Sequence, residues 1–248
     1  MSGTGQGENG SAHTPTSLVA TILLDAGGVL VWPNWKRVAD ALRRHGVVAD
    51  AAVLAMAEPR ARHALDVPDL INTSTDHRRS GIYFNLVLGE AGIRLSDHTA
   101  RALADIQAYH RISNLWEDVP DFVVPTLSAL RARGYRLAVV SNANGTLRAA
   151  FARLGLAAFF DVLIDSAEEG LEKPDPRLFE LALARVGVTA AEAVYVGDMY
   201  HVDVVGARAA GLPALLVDEA GLKTGVDCPR IRSIAELPAA VAMLFPGT

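Results

Sequence analysis

Short apolar runs recur along this chain, and each one stops abruptly at a polar residue. Val19–Leu24 ends at Asp25, Tyr135–Val140 at Ser141-Asn142, Ala193–Val196 at Gly197-Asp198, and Pro213–Val217 at Asp218. Runs of this length and type, bounded by turn residues, read as buried strands. Phe160–Ile164 adds another. Between them lie helical patterns at Asp121–Arg133, Thr146–Leu154, Asp175–Val186 and Val202–Ala210, and Ile234–Phe245 supplies a last helix. Strands alternating with helices mean βαβ units. The expected fold class is therefore α/β, a Rossmann-like, mainly parallel sheet with helices on both faces.

One stretch breaks the alternation. Asn34 can cap a helix that carries Trp35, Val38, Ala39 and Leu42 on one face and ends at Gly46. Ala51–Leu65, Thr75–Ala91 and Asp97–His110 then read as helices with no strand between them. Pro59 and Val67-Pro68-Asp69 interrupt this region, so the first of the three is expected to be short or kinked. An all-helical block lodged between strands reads as an inserted cap, residues 33–114, in an α/β core of residues 18–32 and 115–248. His63, Asp76, His77, Arg78, Arg79, Tyr83 and Asn85 lie in this block. Each taken singly fits a solvated helix face, but in a lid some of the group should look down on a substrate. Residues 1–17, rich in Gly, Ser and Thr, read as a disordered arm.

Composition excludes several function classes. A formal charge of −5 provides no footprint for nucleic acid. No apolar run reaches the roughly 18 residues of a membrane helix, and no signal-peptide pattern is visible, which points to the cytoplasm. Cys228 is the single cysteine, so intrachain disulfides and cysteine-built zinc sites are out. The expected partner is a small molecule, and the expected assembly a monomer or homodimer.

Parallel strands share a direction, so Asp25, Ser141-Asn142 and Gly197-Asp198 should meet at one rim of the sheet. That rim is where open α/β sheets bind ligands. Asp25 alone could equally be capping its own turn. Two carboxylates converging there repel unless a cation sits between them, and hard oxygen ligands suit Mg²⁺. Asp203, one turn into the next helix, can reach back to the same place. Lys173 lies in a strand-to-helix loop, where its ammonium can meet an anion. Ser141 and Asn142 offer a hydroxyl, an amide and backbone N–H groups near a helix start, a cradle for phosphate.

In this order the motifs resemble those of the haloacid dehalogenase (HAD) superfamily, in its phosphatase branch with a helical cap. The resemblance covers nearly everything from Val19 to Phe245. LLDAGGVL resembles the first motif and implies that Asp25 is the nucleophile. VVSNAN resembles the second, with Ser141 binding phosphate and Asn142 beside it. EKPDPRLF resembles the third, in which Lys173 steadies the nucleophile and the phosphoryl charge. VGDMYHVDVVGARAAG resembles the fourth, whose acids, Asp198 and Asp203, hold or orient Mg²⁺. The helical block falls where this family places its cap.

The departure is at the chemistry. The phosphatase pattern has a second Asp two residues after the nucleophile, to protonate the leaving group and later activate water. Here that position is Gly27. Its backbone carbonyl can still serve the metal, but the proton relay is gone. General acid–base catalysis contributes about 10²–10⁴-fold, so the loss is heavy without being abolition.

The expectation is a Mg²⁺-dependent hydrolase of a small phosphorylated metabolite acting through an aspartyl-phosphate at Asp25. A catalytically impaired binding or regulatory protein is the alternative that Gly27 favours. A 2-haloacid dehalogenase has no need of the acid cluster. A phosphonate hydrolase would need a cap lysine, for which Lys36 is the one candidate. His201, three residues after Asp198, is a candidate for replacing the acid or else a surface histidine. Trp32 and Trp35 flank the cap hinge, with packing the default role and ligand stacking the other.

Overall fold

The computed structural model describes residues 19–245, so the arm read at residues 1–17 lies outside the described residues. Eight strands are present in it: β1 (Thr21–Leu24), β2 (Trp32–Pro33), β3 (Trp116–Asp118), β4 (Arg136–Ser141), β5 (Val162–Asp165), β6 (Ala193–Gly197), β7 (Ala214–Val217) and β8 (Arg230–Ile231). Six form one sheet in the order β5-β4-β1-β6-β7-β8, and every pairing in it is parallel. The chain leaves β1 toward β4 and β5, then returns to build β6, β7 and β8 on the other side. The order thus reverses at β1. A crevice opens at the carboxyl ends of the strands at such a reversal, and Asp25 is the first residue past β1.

The helices are α1 (Trp35–Arg44), α2 (Ala51–Leu65), α3 (Pro68–Thr73), α4 (Asp76–Glu90), α5 (Asp97–Ser113), α6 (Val123–Ala132), α7 (Leu147–Arg153), α8 (Ser166–Glu169), α9 (Pro176–Val186), α10 (Val205–Ala209) and α11 (Leu237–Leu244). Side chains alternate across a strand, and β1 divides accordingly. Ile22 and Leu24 pack with Leu127 of α6, Phe151 of α7 and Val241 of α11. Leu23 faces the other way, among Phe179 and Leu183 of α9 and Ala207 of α10. Both faces are covered, as the near-continuous apolar strands require.

Helices α1–α5 build a separate apolar core from Trp35, Leu42, Leu54, Phe84, Leu88 and Ile106. The helical insert is therefore held by its own burial as well as by contact with the sheet. Asn34 caps α1 by accepting the Arg37 N–H, and Asp50 caps α2 by accepting that of Ala52. Helix α2 runs through Pro59 without a break, against the expectation of a short or kinked segment. Pro68 starts α3, a short helix where the sequence suggested only an interruption, and first-turn proline is favourable there. The insert is entered and left through β2 and β3, a two-stranded antiparallel ribbon absent from the sequence reading. No helix among the described residues is long and apolar enough to cross a membrane.

Candidate active site

A cavity of about 950 Å³ opens above the carboxyl end of β1, between the sheet and the helical insert. Asp25, Gly27, Ser141, Asn142, Lys173 and Asp198 all line it, and Asp203 lies buried directly behind. The residues drawn from four separate segments of the sequence are thus brought together.

Asp25 Oδ1 accepts the Ala26 N–H at 2.7 Å and lies 2.9 Å from Lys173 Nζ. Lys173 is itself 1% exposed and donates to Asp203 Oδ1 at 2.7 Å and to the Tyr195 hydroxyl at 2.8 Å. A buried ammonium survives only if paired, and here two carboxylates hold its pKa above the ordinary lysine value despite burial. The loop carrying Lys173 is pinned by a reciprocal tie. Asn142 Oδ1 accepts the Lys173 N–H at 2.7 Å, while Asn142 Nδ2 donates to the Lys173 carbonyl at 3.0 Å. Asn142 therefore works on the lysine loop, and the hydroxyl-bearing Ser141 beside it remains on the cavity wall.

Asp198 and Asp203 occupy different stations. Asp203 Oδ2 accepts the N–H groups of Asp198 and Met199 at 3.0 and 2.9 Å, and its Oδ1 takes Lys173 and Tyr195. Both of its oxygens are committed to protein donors. It sits in a single wide π turn, Tyr200–Val204, where the sequence suggested plain α-helix. Such turns often accompany functional sites, and this one folds Asp203 back beneath Asp198. Carboxylate oxygens of Asp25, Asp198 and Asp203 lie within 4.8 Å of one another, close enough to share a cation. The Gly27 carbonyl takes no hydrogen bond from the described residues, which leaves it available as a further oxygen donor. Burial raises the Asp25 carboxyl, with Asp203 adding to the effect and Lys173 opposing it. Burial likewise raises Asp198 in spite of an adjacent guanidinium.

That guanidinium is Arg62, from α2, which the sequence reading missed. Its Nη1 donates to Asp198 Oδ2 at 2.5 Å. Its Nη2 lies 3.4 Å from Glu58 and 3.7 Å from Glu219, and Glu58 accepts the Tyr83 hydroxyl at 3.0 Å. A Cβ on Gly28 would fall 2.0 Å from Arg62 Nη1, and Gly28 has φ +69°. Glycine is required there on both counts. The second glycine of the LLDAGGVL motif thus makes room for a side chain arriving from the insert.

Of the seven insert residues singled out in the sequence, Asp76, His77, Arg78, Arg79 and Tyr83 line the cavity, whereas His63 and Asn85 do not. His201 does not line it either. Its ring meets Asp66 at 3.1 Å, at the joint between insert and core. Lys36 borders a different recess, and Lys223 pairs with Asp66, so Lys173 is the one lysine on the cavity wall. Trp35 packs in the core of the insert, and Trp32 stands edge-on to Phe122. The tryptophan that reaches the cavity is Trp116, on β3.

A family model described as haloacid dehalogenase-like hydrolase matches residues 19–211. A glyceraldehyde 3-phosphate phosphatase of Methanothermobacter thermautotrophicus is 40% identical over 122 residues, 45% of this chain and 54% of that one. A ribulose-1,5-bisphosphate 5-phosphatase of Halopiger xanaduensis is 36% identical over 153 residues, 60% and 62% of the two chains. This chain therefore spans less than two thirds of either phosphatase. Among solved structures, the magnesium-bound HAD-hydrolase YfnB of Bacillus subtilis shares the fold, with TM-score 0.66 and 21% identity. The match covers 91% of this chain and 99% of that one. Motif order, the meeting of their residues above β1 and the extent of the family match agree: the chain belongs to the haloacid dehalogenase-like hydrolases.

Proposed function

We propose that the protein is a Mg²⁺-dependent phosphatase of a small phosphorylated metabolite, working through an aspartyl-phosphate on Asp25. The observation that carries this is the placement of Asp25 at the strand reversal, one oxygen fixed by Lys173 and Ala26 and the other free toward the cavity. The free oxygen attacks phosphorus, the bond to the leaving oxygen breaks, and its electron pair departs with the leaving group. Water then hydrolyses the acyl phosphate and regenerates Asp25. Lys173 offsets charge on the nucleophile and the transferring group, and the Ser141 hydroxyl holds a phosphoryl oxygen.

The donor set suits Mg²⁺: hard oxygens only, two carboxylates and an unengaged carbonyl. Asp25, Asp198 and the Gly27 carbonyl would hold the ion, and Asp203, with both oxygens engaged, would orient Asp198 and Lys173. The ion would neutralise charge on the incoming phosphoryl group. The relatives named as phosphatases support a small phosphorylated molecule as substrate. The absence of any lysine from the insert's share of the cavity wall removes support for a Schiff-base phosphonate hydrolase.

The test is to mix the protein with Mg²⁺ and a labelled acyl phosphate and denature it within seconds. Wild type should carry alkali-labile phosphate, and Asp25→Asn, similar in size but not a nucleophile, should carry none. Equal turnover by the two proteins overturns the assignment. Gly27 favours a second reading, a HAD-fold binder of phosphorylated ligands. Saturable phosphate binding with no turnover of any ester would select it.

A further inference from the structure

Gly27 removes the acid of the family pattern, and the space a side chain would take there is not empty. A Cβ on Gly27 would lie 3.1 Å from Trp116 Nε1 and 3.3 Å from its Cδ1. The N–H edge of the indole therefore fronts the residue two positions beyond the nucleophile. Trp116 Nε1 has no hydrogen-bond partner among the described residues, and the ring lines the same cavity as Asp25. An indole N–H is a donor only, so an acceptor for it must come from whatever occupies the cavity.

The ring is held with unusual care. Trp116 pairs with Pro33 in the β2–β3 ribbon, and its main-chain N–H donates to Asn114 Oδ1 at 3.0 Å. Asn114 is the one non-glycine residue with positive φ among the described residues, at 61°. Backbone in that region is disfavoured and concentrates where function demands a fixed geometry. Around the indole stand Tyr83, Phe84 and His110, with ring centroids 6.0, 6.1 and 5.2 Å away. His110 Nδ1 accepts the Leu115 N–H, and burial lowers its pKa, which keeps the ring neutral and a poor acid at neutral pH.

Building on the phosphatase reading above, we propose that Trp116 takes the place of the missing acid as a fixed hydrogen-bond donor, Nε1–H to the leaving oxygen. The substrates would then be phosphoryl donors whose leaving groups are stable as anions, that is acyl phosphates, enol phosphates and phosphoanhydrides. In the step, Asp25 bonds to phosphorus as the P–O bond to the leaving group breaks. The leaving oxygen keeps the electron pair and departs as an anion, hydrogen-bonded by the indole, which keeps its proton. A donor that keeps its proton leaves a departing alkoxide too basic to be expelled readily, whereas carboxylate, enolate and phosphate need only a hydrogen bond to leave as anions. The small residue and the tryptophan thus form one device, glycine admitting the indole edge and the indole supplying the polarity.

The test has two arms. In the first, wild type and Trp116→Phe, which keeps an aromatic ring and loses the N–H, are assayed with Mg²⁺ on acetyl phosphate and on an alkyl phosphate. Wild type should turn over acetyl phosphate at least about 10²-fold faster than the alkyl ester, the scale of general acid catalysis. The variant should lose about 10²–10³-fold in kcat on acetyl phosphate, as for removal of one oxyanion donor, with KM little changed. In the second arm, the indole N–H resonances of Trp32, Trp35 and Trp116 are recorded with Mg²⁺ as orthovanadate is added, which needs no variant to fold. Only one should move strongly, and it should be the Trp116 resonance, assigned in wild type by its nuclear Overhauser contacts with Gly27 and His110. Unchanged kcat in a folded variant, or a Trp116 resonance that ignores bound vanadate, overturns the proposal while leaving the phosphatase reading intact. Failure of wild type to hydrolyse any phosphoryl compound overturns both.

Discussion

Gly27 and Arg62 are the two residues at which this site departs from what its motifs suggest. The positive φ of the Gly27-Gly28 pair falls at Gly28, and the obstacle to a side chain at Gly27 is Trp116. Gly27→Asp should therefore overpack against the indole, destabilising the fold by about 1–3 kcal/mol, and should not by itself speed alkyl phosphates. Adding Trp116→Ala should relieve the clash and raise alkyl phosphate turnover, read by melting temperature and kcat together. A single Gly27→Asp variant with wild-type melting and faster alkyl turnover would refute this account. Arg62 bears on the proposed Mg²⁺ site. Its guanidinium sits on one oxygen of Asp198 and would compete with a cation for that carboxylate. Arg62→Met should bind Mg²⁺ about tenfold or more tighter in titration calorimetry without substrate. This follows because lifting a charge-assisted hydrogen bond of about 1.5–3 kcal/mol removes the competition. Weaker binding in a folded variant would show the arginine to be a support for the site instead. Asp25, Ser141, Asn142, Lys173 and Asp198 were legible in the sequence because each lies at a strand end or in the loop just beyond, where local pattern dictates position. Arg62, Glu58 and Trp116 were not, because their reach depends on how the insert docks on the sheet.

At the scale of elements, legibility follows length. Helix α2 has the bounds Ala51–Leu65 read for it but runs unbroken through Pro59, where α4 packs along it. Strands β2 and β8, two residues each, are too short for an alternating pattern to register. The π turn was invisible for a different reason, since it arises where the Asp203 carboxylate turns back onto the N–H groups of Asp198 and Met199. The same turn receives the insert. Asp66, at the end of α2, accepts the N–H groups of Tyr200 and His201 at 2.6 and 2.9 Å and pairs with the buried Lys223. One carboxylate, 1% exposed at its side chain, therefore joins the lid to the strand-end loop that carries Asp198. Asp66→Asn leaves Lys223 without its counter-charge, and breaking one side of a buried pair costs about 3–5 kcal/mol. A lower melting temperature should come with faster amide exchange in α2 and α3 and a raised KM. A variant with wild-type exchange in those helices would show that this joint does not hold the insert down.

Taken as a whole molecule, the site concentrates charge of one sign. Asp25, Asp198, Asp203 and Glu58 gather around two cations, Lys173 and Arg62. Burial pushes Asp25 up to about 6 and Asp198 up to about 7, from an ordinary 3.8. Between those limits the folded chain binds more protons than the unfolded chain, so stability falls as pH rises through the window. His110, lowered by burial, works in the opposite direction near pH 6.5, but it is one group against three, since burial raises Asp76 as well. Glu117, Asp175, Glu192 and Asp227, held low by their hydrogen bonds, give stability that is complete above about pH 4.5 and so outside the window. In chelator, the melting temperature should therefore decline from pH 5 to pH 7.5. Mg²⁺ should restore it most at the upper end, where protons no longer compete for the carboxylates. Asp198→Asn should flatten the decline and remove most of the response to Mg²⁺. A chelated protein that becomes more stable from pH 5 to pH 7.5, with a Mg²⁺ shift independent of pH, would mean that the acids at the strand ends are not held against their charge and that the cation binds elsewhere.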